Sequence, residues 1–324
     1  MLILGIALFA ALLALLPHLV FLLSRLAGRM AHFRVRYRPF GISALALVAI
    51  WALLVLWGNV YGRFRSEVKE VQLPLETLPA AFDGLRIVHI SDLHLDGWAG
   101  HEKELQQRVL QINDLEPDII CFTGDLISLS TDELKPFIPI LRQLKGVYSV
   151  LGNHDYMPYS PFAGESEREA RLAELIRMER EELGWTLLLN ESAVICRGTD
   201  SLAILGCENQ SVGAHPVVQR GQLQKTIQGH EHCFGILLTH DPSQWRKEVL
   251  PQTQIPLTLS GHTHAMQLRF LGFTPSKWIY PECDGLYAEG NQYLYVNIGL
   301  GGTLPWRIGA TPEITLITLK RLAP

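Results

Sequence analysis

The residues of this chain best suited to chemistry fall in five short segments, in this order: Asp92-Leu93-His94, Gly124-Asp125, Gly152-Asn153-His154-Asp155, His240-Asp241-Pro242 and Gly261-His262-Thr263-His264. Each follows an apolar run. Carboxylate, carboxamide and imidazole donors together suit borderline divalent metals such as manganese, iron or zinc, and no thiolate belongs to the set. Alternate residues of an extended segment point the same way, so Asp92 with His94, and His262 with His264, can each aim two side chains at one centre. Gly124, Gly152 and Gly261 let the chain turn away sharply beyond the strands. A single histidine near a strand end is more often a satisfied core or surface residue. Five such segments in order, each closing an apolar run, point instead to one metal centre.

Such a centre needs strands whose ends converge. Residues 85–90, 118–123 and 147–151 predict buried strands. Between them, 101–115 predicts a helix with Leu105, Val109, Ile112 and Leu115 on one face, and 132–144 a helix disturbed by Pro136 and Pro139. Alternating strands and helices build a covered sheet, and ligands bind beyond the carboxyl ends of such strands. In the second half, 193–197 and 202–206 predict a hairpin around Gly198, Thr199 and Asp200. Further strands are predicted at 235–239, 257–260, 267–271, 293–298 and 313–319, with few helices between them. That pattern predicts a second, largely antiparallel sheet. Residues 165–183 form a charged helix with Leu172, Leu175, Ile176 and Leu183 in one stripe, expected to cover the sheet, with a lid over the site as the alternative.

The charge is unevenly distributed. All 32 acidic residues follow Arg65, while seven of the 28 Lys and Arg precede Glu67; residues 67–324 therefore hold 21 basic against 32 acidic side chains, a net of −11. An acidic domain of this kind excludes a nucleic-acid scaffold, which needs a basic face. Residues 1–23 and 39–62 carry no charged side chain with His18 neutral. Each is long enough for a bilayer core of about 30 Å, which takes roughly 20 apolar residues as helix. The lack of any polar face argues against buried core helices. A cleaved signal fits poorly, because there is no basic start and a second apolar run follows. The connection, 24–38, holds Arg25, Arg29, Arg34, Arg36 and Arg38 and no acid, which assigns it to the cytoplasmic side. Everything after Gly62 then lies on the outer side, a bias opposed by Arg63, Arg65 and Lys69. The expected organisation is a membrane anchor over 1–65 and a catalytic domain over 66–324. Two spans exclude a transporter or channel. The five cysteines show no CxxC spacing and read mostly as small buried apolar residues, with a Cys196–Cys207 bridge left open.

The five segments, in their order, resemble the calcineurin-like metallophosphoesterases over about residues 85–319. Within that superfamily the chain is similar to a bacterial branch with N-terminal membrane spans. That branch often continues Gly-His-Thr-His with Gly-Gly-Gln; here Ala265 and Met266 replace both glycines and Gln267 remains, leaving the ligands intact and altering the pocket wall. The resemblance implies an α/β fold, a four-layer αββα sandwich. It implies Asp92, His94 and His264 at one metal, Asn153, His240 and His262 at a second, and Asp125 bridging them. His154 would protonate the leaving group, with Asp155 orienting its ring. Two ions about 3.5–4 Å apart acidify the solvent between them, and the hydroxide attacks phosphorus in line. The implied substrate is a phosphoester, a phosphodiester or pyrophosphate, and the anchor makes a lipid-linked one attractive. The implied location is the bacterial inner membrane, multi-pass, with the domain on the periplasmic side. The alternatives are a UDP-diacylglucosamine hydrolase-like enzyme of lipid A synthesis, which needs a cytoplasmic domain, and a non-catalytic metal-binding scaffold, which intact His154 opposes. Asp96, Trp98, Trp306 and Arg307 are further pocket candidates, Arg307 as a phosphate grip.

Overall fold

In the computed structural model, which describes residues 2–212 and 217–322, the apolar runs ahead of the polar segments become short, buried strands. The strands are β1 (Glu67–Leu75), β2 (Arg86–Ile90), β3 (Ile119–Phe122), β4 (Val147–Ser149), β5 (Thr186–Leu187) and β6 (Glu191–Arg197). They continue as β7 (Asp200–Gly206), β8 (Phe234–Leu238), β9 (Leu257–Ser260), β10 (Gly285–Glu289), β11 (Gln292–Val296) and β12 (Glu313–Arg321). They make two six-stranded sheets, ordered β1-β12-β2-β3-β4-β5 and β10-β11-β9-β8-β7-β6. This is an α/β fold with two sheets.

Register places the site. β2, β3 and β4 run parallel, with Ile87 opposite Ile119 and Ile120 opposite Val147. Their carboxyl ends therefore share one edge, from which the chain leads to Asp92, Asp125 and Asn153. β8 and β9 are also parallel, with Ile236 opposite Leu257, and lead together to His240 and His262. Strand alternation sorts the apolar side chains. Ile87, Ile119 and Cys121 cluster with Ile204, Ile236 and Leu257 of the other sheet. Val88, Ile120 and Phe122 cluster with Leu105, Val109 and Ile112 of the helix Glu102–Asp114 and with Leu172 and Leu175 of the helix Glu165–Arg177. Each fully buried aliphatic side chain stabilises the fold by about 1.5–3 kcal/mol. The helix Glu165–Arg177 thus covers the first sheet rather than serving as a lid.

Several expectations need correction. The second sheet is mixed, not largely antiparallel: β7–β8, β8–β9 and β9–β11 are parallel, and only the outer pairs β6–β7 and β10–β11 are antiparallel. Parallel neighbours need crossovers, and short helical segments, Leu223–Ile227 and Trp245–Val249, supply two of them. Residues 267–271 form no strand; they leave a 3-10 turn, His264–Gln267, and enter a tight turn. The region 132–144 breaks into single turns because Pro136 and Pro139 remove backbone donors. β1 is not among the expected strands; it pairs in parallel with β12, Glu67 opposite Glu313. All five cysteines are free; Cys121, Cys207 and Cys283 are buried, while Cys196 and Cys233 are exposed.

The chain divides into two units, residues up to 63 with 304–308, and the remainder. The smaller unit is a pair of helices, Leu2–Met30 and Arg38–Trp57, long and apolar enough to cross a membrane. The first helix runs through Arg25 and Arg29, so the connection is shorter than the 24–38 expected. Its rings interlock, Phe9 with Trp51 at 4.6 Å and Phe21 with Phe40 at 5.5 Å. Residues 304–308 join this unit through Asn59 Nδ2, which donates to the Pro305 carbonyl (2.5 Å), and through Trp306, edge-on to Trp51 at 5.9 Å.

Candidate metal centre

The chain beyond β2, β3 and β9 reaches the centre through strained loops, whereas Asn153 after β4 keeps a right-handed backbone (φ −65°). Asp92, His94, His262 and His264 all have left-handed backbones (φ 52°, 45°, 74° and 49°), so neither Asp92–His94 nor His262–His264 is the extended segment that spacing predicts. Such conformations cost on the order of 1–3 kcal/mol each and persist where the surroundings over-determine them. Here they are fixed by loop-to-loop hydrogen bonds: Asp92 N donates to Gly124 O (2.9 Å) and His94 N to Asp125 O (3.1 Å). Gly152 and Gly261 serve close approach: a Cβ at Gly152 would collide with the Asp125 carboxylate, and one at Gly261 with Ser91 Oγ and Asp92 Oδ2.

The loops bring together two donor groups. Asp92, His94, Asp125 and His264 offer atoms that all lie within 4.8 Å of one another, and so do Asp125, His240 and His262. Asp125 belongs to both. Its Oδ2 lies 3.5 Å from His94 Nε2 and 3.2 Å from His240 Nε2, while its Oδ1 accepts from the backbone N–H of His154 (2.8 Å). Asn153 Oδ1 joins the second group, 2.8 Å from His262 Nδ1. All seven ligand candidates of the sequence thus converge.

The donor set fits cations. His240 Nδ1 faces the Thr123 carbonyl at 2.7 Å and must carry its proton there, so a neutral ring turns a lone pair at Nε2 toward Asp125. Likewise, Ser128 Oγ donates to Asp96 and accepts from His94 Nδ1 (3.1 Å), turning the His94 Nε2 lone pair inward. Electron-rich atoms 3.2 Å apart match two ligand bonds of about 2.1 Å meeting at roughly 100° on one ion. Without ions, protons supply the missing charge. Burial pushes the Asp92 carboxyl up to about 6. Burial works against Asp125 too, but His240, His154 and His94 outweigh it and hold this carboxyl well below the usual range. Burial disfavours charge on His240, yet Asp125 and Asp92 carry it up to about 10. The buried Asp/His clusters are consistent with a binuclear metal site.

His154 sits beside the clusters, its ring 4.8 Å from that of His94. Its Nδ1 bonds to the Ser128 carbonyl (2.9 Å), which leaves Nε2 as the nitrogen to exchange a proton. Asp155 does not orient this ring. Its carboxylate instead accepts from the backbone N–H groups of Asp125 and Gly152 (2.8 Å each), Leu126 (2.8 Å) and Ile127 (3.1 Å). In the 3-10 turn His154–Tyr156 the neighbours diverge, one toward solvent and one beneath the loop. Of the weaker candidates, Asp96 acts through Ser128, and Trp98 is core, donating to the Leu93 carbonyl (2.9 Å). Trp306 and Arg307 are buried and group with the helical unit.

Residues without a sequence signal complete the centre. Tyr280 OH lies 2.7 Å from His262 Nε2 and fixes that ring from behind. The Tyr159 ring packs at a tilt of 47° against that of His154, centroids 4.9 Å apart. Ser128 is the shared outer partner of His94 and His154. Beyond His264, Ala265, Met266 and Gln267 keep left-handed backbones (φ 48°, 48° and 55°). The turn that paired glycines suit is therefore retained by residues that strain to make it.

Residues 85–266, more than half of the chain, match the calcineurin-like phosphoesterase family. The chain belongs to that family. An uncharacterised metallophosphoesterase of Bacillus subtilis, YkuE, is 32% identical over 87% of this chain and 97% of its own length. A transmembrane protein with a metallophosphoesterase domain from Danio rerio is 32% identical over 93% of this chain and 67% of its own. The UDP-2,3-diacylglucosamine pyrophosphatase LpxG of Chlamydia trachomatis is 27% identical over 85% of this chain and 95% of its own. As a metallophosphoesterase, the chain is a phosphoester hydrolase with a buried Asp/His metal-binding cluster.

Proposed function

We propose that this metallophosphoesterase is a membrane-anchored hydrolase of phosphodiesters or pyrophosphates, with residues 1–65 as a two-helix anchor and 66–324 as a four-layer αββα catalytic domain. The carrying observation is the Asp125 carboxylate shared by two donor clusters, with His154 beside them. In this reading Asp92, His94 and His264 would hold one ion and Asn153, His240 and His262 the other, with Asp125, a member of both clusters, available to each. Bound there, two divalent ions supply an activated solvent nucleophile and neutralise charge on the phosphoryl oxygens. The chain does the rest. His240 and His94, fixed by Thr123 and Ser128, hold their lone pairs inward without reorganisation. His154, its Nδ1 proton spent on Ser128, delivers a proton from Nε2 to the leaving oxygen. Asp155 positions the Asp125 loop rather than touching substrate.

Turnover of chromogenic phosphomonoesters and phosphodiesters by the purified full chain, with and without manganese, tests this reading. Metal-dependent diester cleavage is expected; at most one bound ion per chain under saturating manganese or zinc would overturn the two-ion arrangement. A second reading, hydrolysis of a UDP-diacylglucosamine-like pyrophosphate, is favoured by the near full-length similarity to LpxG. It requires a cytoplasmic domain, whereas the loop arginines favour the outer side.

A further inference from the structure

Among the described residues, the most exposed apolar surface of the larger unit stands next to the metal centre. Met266, Phe270, Leu271, Phe273, Trp278 and Ile279 are all exposed, Leu271 at 91% and Trp278 at 77%. Elsewhere in that unit, exposed large apolar residues such as Leu110, Val194 and Leu322 are scattered singly. Scattered residues need no explanation, but six within residues 266–280 form a patch of the kind that marks an interaction site.

Its base is rigid and its tip bare. Phe270 and Phe273 exchange both backbone hydrogen bonds (2.9 and 3.0 Å) around Leu271 and Gly272, whose φ values of 48° and 81° make a tight hairpin turn. Below the tip, Thr274 Oγ1 donates to Ala265 O (2.5 Å), and Tyr280 OH meets His262 at 2.7 Å. Arg269 pairs with Asp284. The loop is thus tied at both ends to the segment that carries His262 and His264. Its charge also sets it apart: in a domain with a net charge of −11, residues 266–280 contain Arg269 and Lys277 and no acid.

We propose that the 266–280 loop is a lipid-docking element, which enters the bilayer interface and restricts the centre to phosphoesters borne on lipid acyl chains. Trp and Phe suit the interface, where rings sit at headgroup level, and Lys277 beside Trp278 is the cation that meets lipid phosphate, Arg269 being held by Asp284. A hydrophilic phosphoester leaves this surface in water; a lipid-borne one covers it while its phosphorus lies among the ligands. The substrate assignment rests on the phosphodiesterase reading above; docking of the loop does not.

Two measurements on the full chain in phosphatidylcholine vesicles separate these. In a Cys196→Ser, Cys233→Ser background, Leu271→Cys carries an environment-sensitive fluorophore, and wild-type Cys196 labelled alone is the reference. The Leu271→Cys label should emit to the blue and be quenched by doxyl lipids, unlike the reference. A water-like emission quenched by iodide overturns docking, and so does a dominant disulfide between two Leu271→Cys chains, which would assign the patch to a second copy. Separately, Leu271→Asp with Trp278→Ser should lower kcat/KM for phosphatidyl-nitrophenol in vesicles, relative to bis(nitrophenyl) phosphate, by about tenfold, equivalent to about 1.4 kcal/mol. Equal losses on both overturn the substrate assignment. Docking without hydrolysis of either ester overturns the phosphodiesterase reading and leaves the lipid contact standing.

Discussion

His154 commits its ring Nδ1 to structure, which leaves Nε2 for the proposed chemistry. Nδ1 is committed to the Ser128 carbonyl, and the backbone N–H is committed to Asp125. Replacing the ring with alanine removes the proposed proton donor and leaves all seven ligand candidates in place. For His154→Ala, turnover of an alkyl phosphodiester should fall roughly 10²–10⁴-fold. Bound metal should stay constant, and the loss should shrink for nitrophenyl esters, whose leaving groups need no proton. Near-normal turnover of the alkyl ester would remove His154 from the mechanism. Tyr280 supports His262 from behind at 2.7 Å. Tyr280→Phe keeps the ring and loses that bond, so manganese affinity measured by titration calorimetry should weaken about 10–100-fold at one of two sites.

At the scale of elements, the centre depends on loops that secure one another. Asp155 ties the turn after β3 to the turn after β4 through four backbone N–H groups. Removing it orphans buried donors, each costing about 1–3 kcal/mol. Asp155→Ala should therefore lower Tm by on the order of 10 °C and reduce metal content, even though its carboxylate contacts no other ligand than the Asp125 backbone. Another buried carboxyl lies in the turn Met178–Leu183 that ends the covering helix. Glu179 is fully buried, bonded to Ser149 Oγ at 3.0 Å, and burial holds its pKa well above the ordinary value, with Asp155 adding to the rise. A group raised in the folded state favours folding most below its unfolded pKa, and that contribution is lost as pH rises toward the folded value. Glu179→Gln has no such dependence. The Tm advantage of the variant over wild type should grow between about pH 5 and pH 8, read by calorimetry at several pH values; a constant difference would show that Glu179 titrates normally.

At the scale of the whole molecule, two questions concern metal and side. Chelation removes the charge that balances the buried Asp92, Asp125 and histidine cluster, so it should lower Tm reversibly, and manganese or zinc should restore it. Orientation follows from the arginines. Five lie between the two apolar runs with no acid, against Arg63, Arg65 and Lys69 beyond the second. We expect a C-terminal alkaline phosphatase fusion to be active and a C-terminal fluorescent protein that folds only in the cytoplasm to be dark. The reverse pair would place the domain inside and favour the UDP-diacylglucosamine reading.

The sequence by itself determined the family, the apolar helix pair, and the ligand candidates, because these depend on local patterns: apolar runs of the right length, each ending in Asp, Asn or His. β2, β3, β8, β9 and β12 were legible for the same reason, being continuous apolar segments. Apart from the β6–β7 hairpin, what pairs with what was not. The parallel order of β7, β8, β9 and β11 depends on crossovers whose short helices carry weak periodicity, and β1 is half-exposed, with Lys69, Glu70 and Pro74 interrupting its pattern. The left-handed backbones of Asp92, His94, His262 and His264 are imposed by neighbouring loops, not by their own preferences. Ser128, Tyr280 and the Asp155 clasp matter only through partners distant in sequence, and residues 267–271 of the apolar loop read as a strand until their exposure is known. Those features arise from long-range contacts, which only the tertiary structure decides.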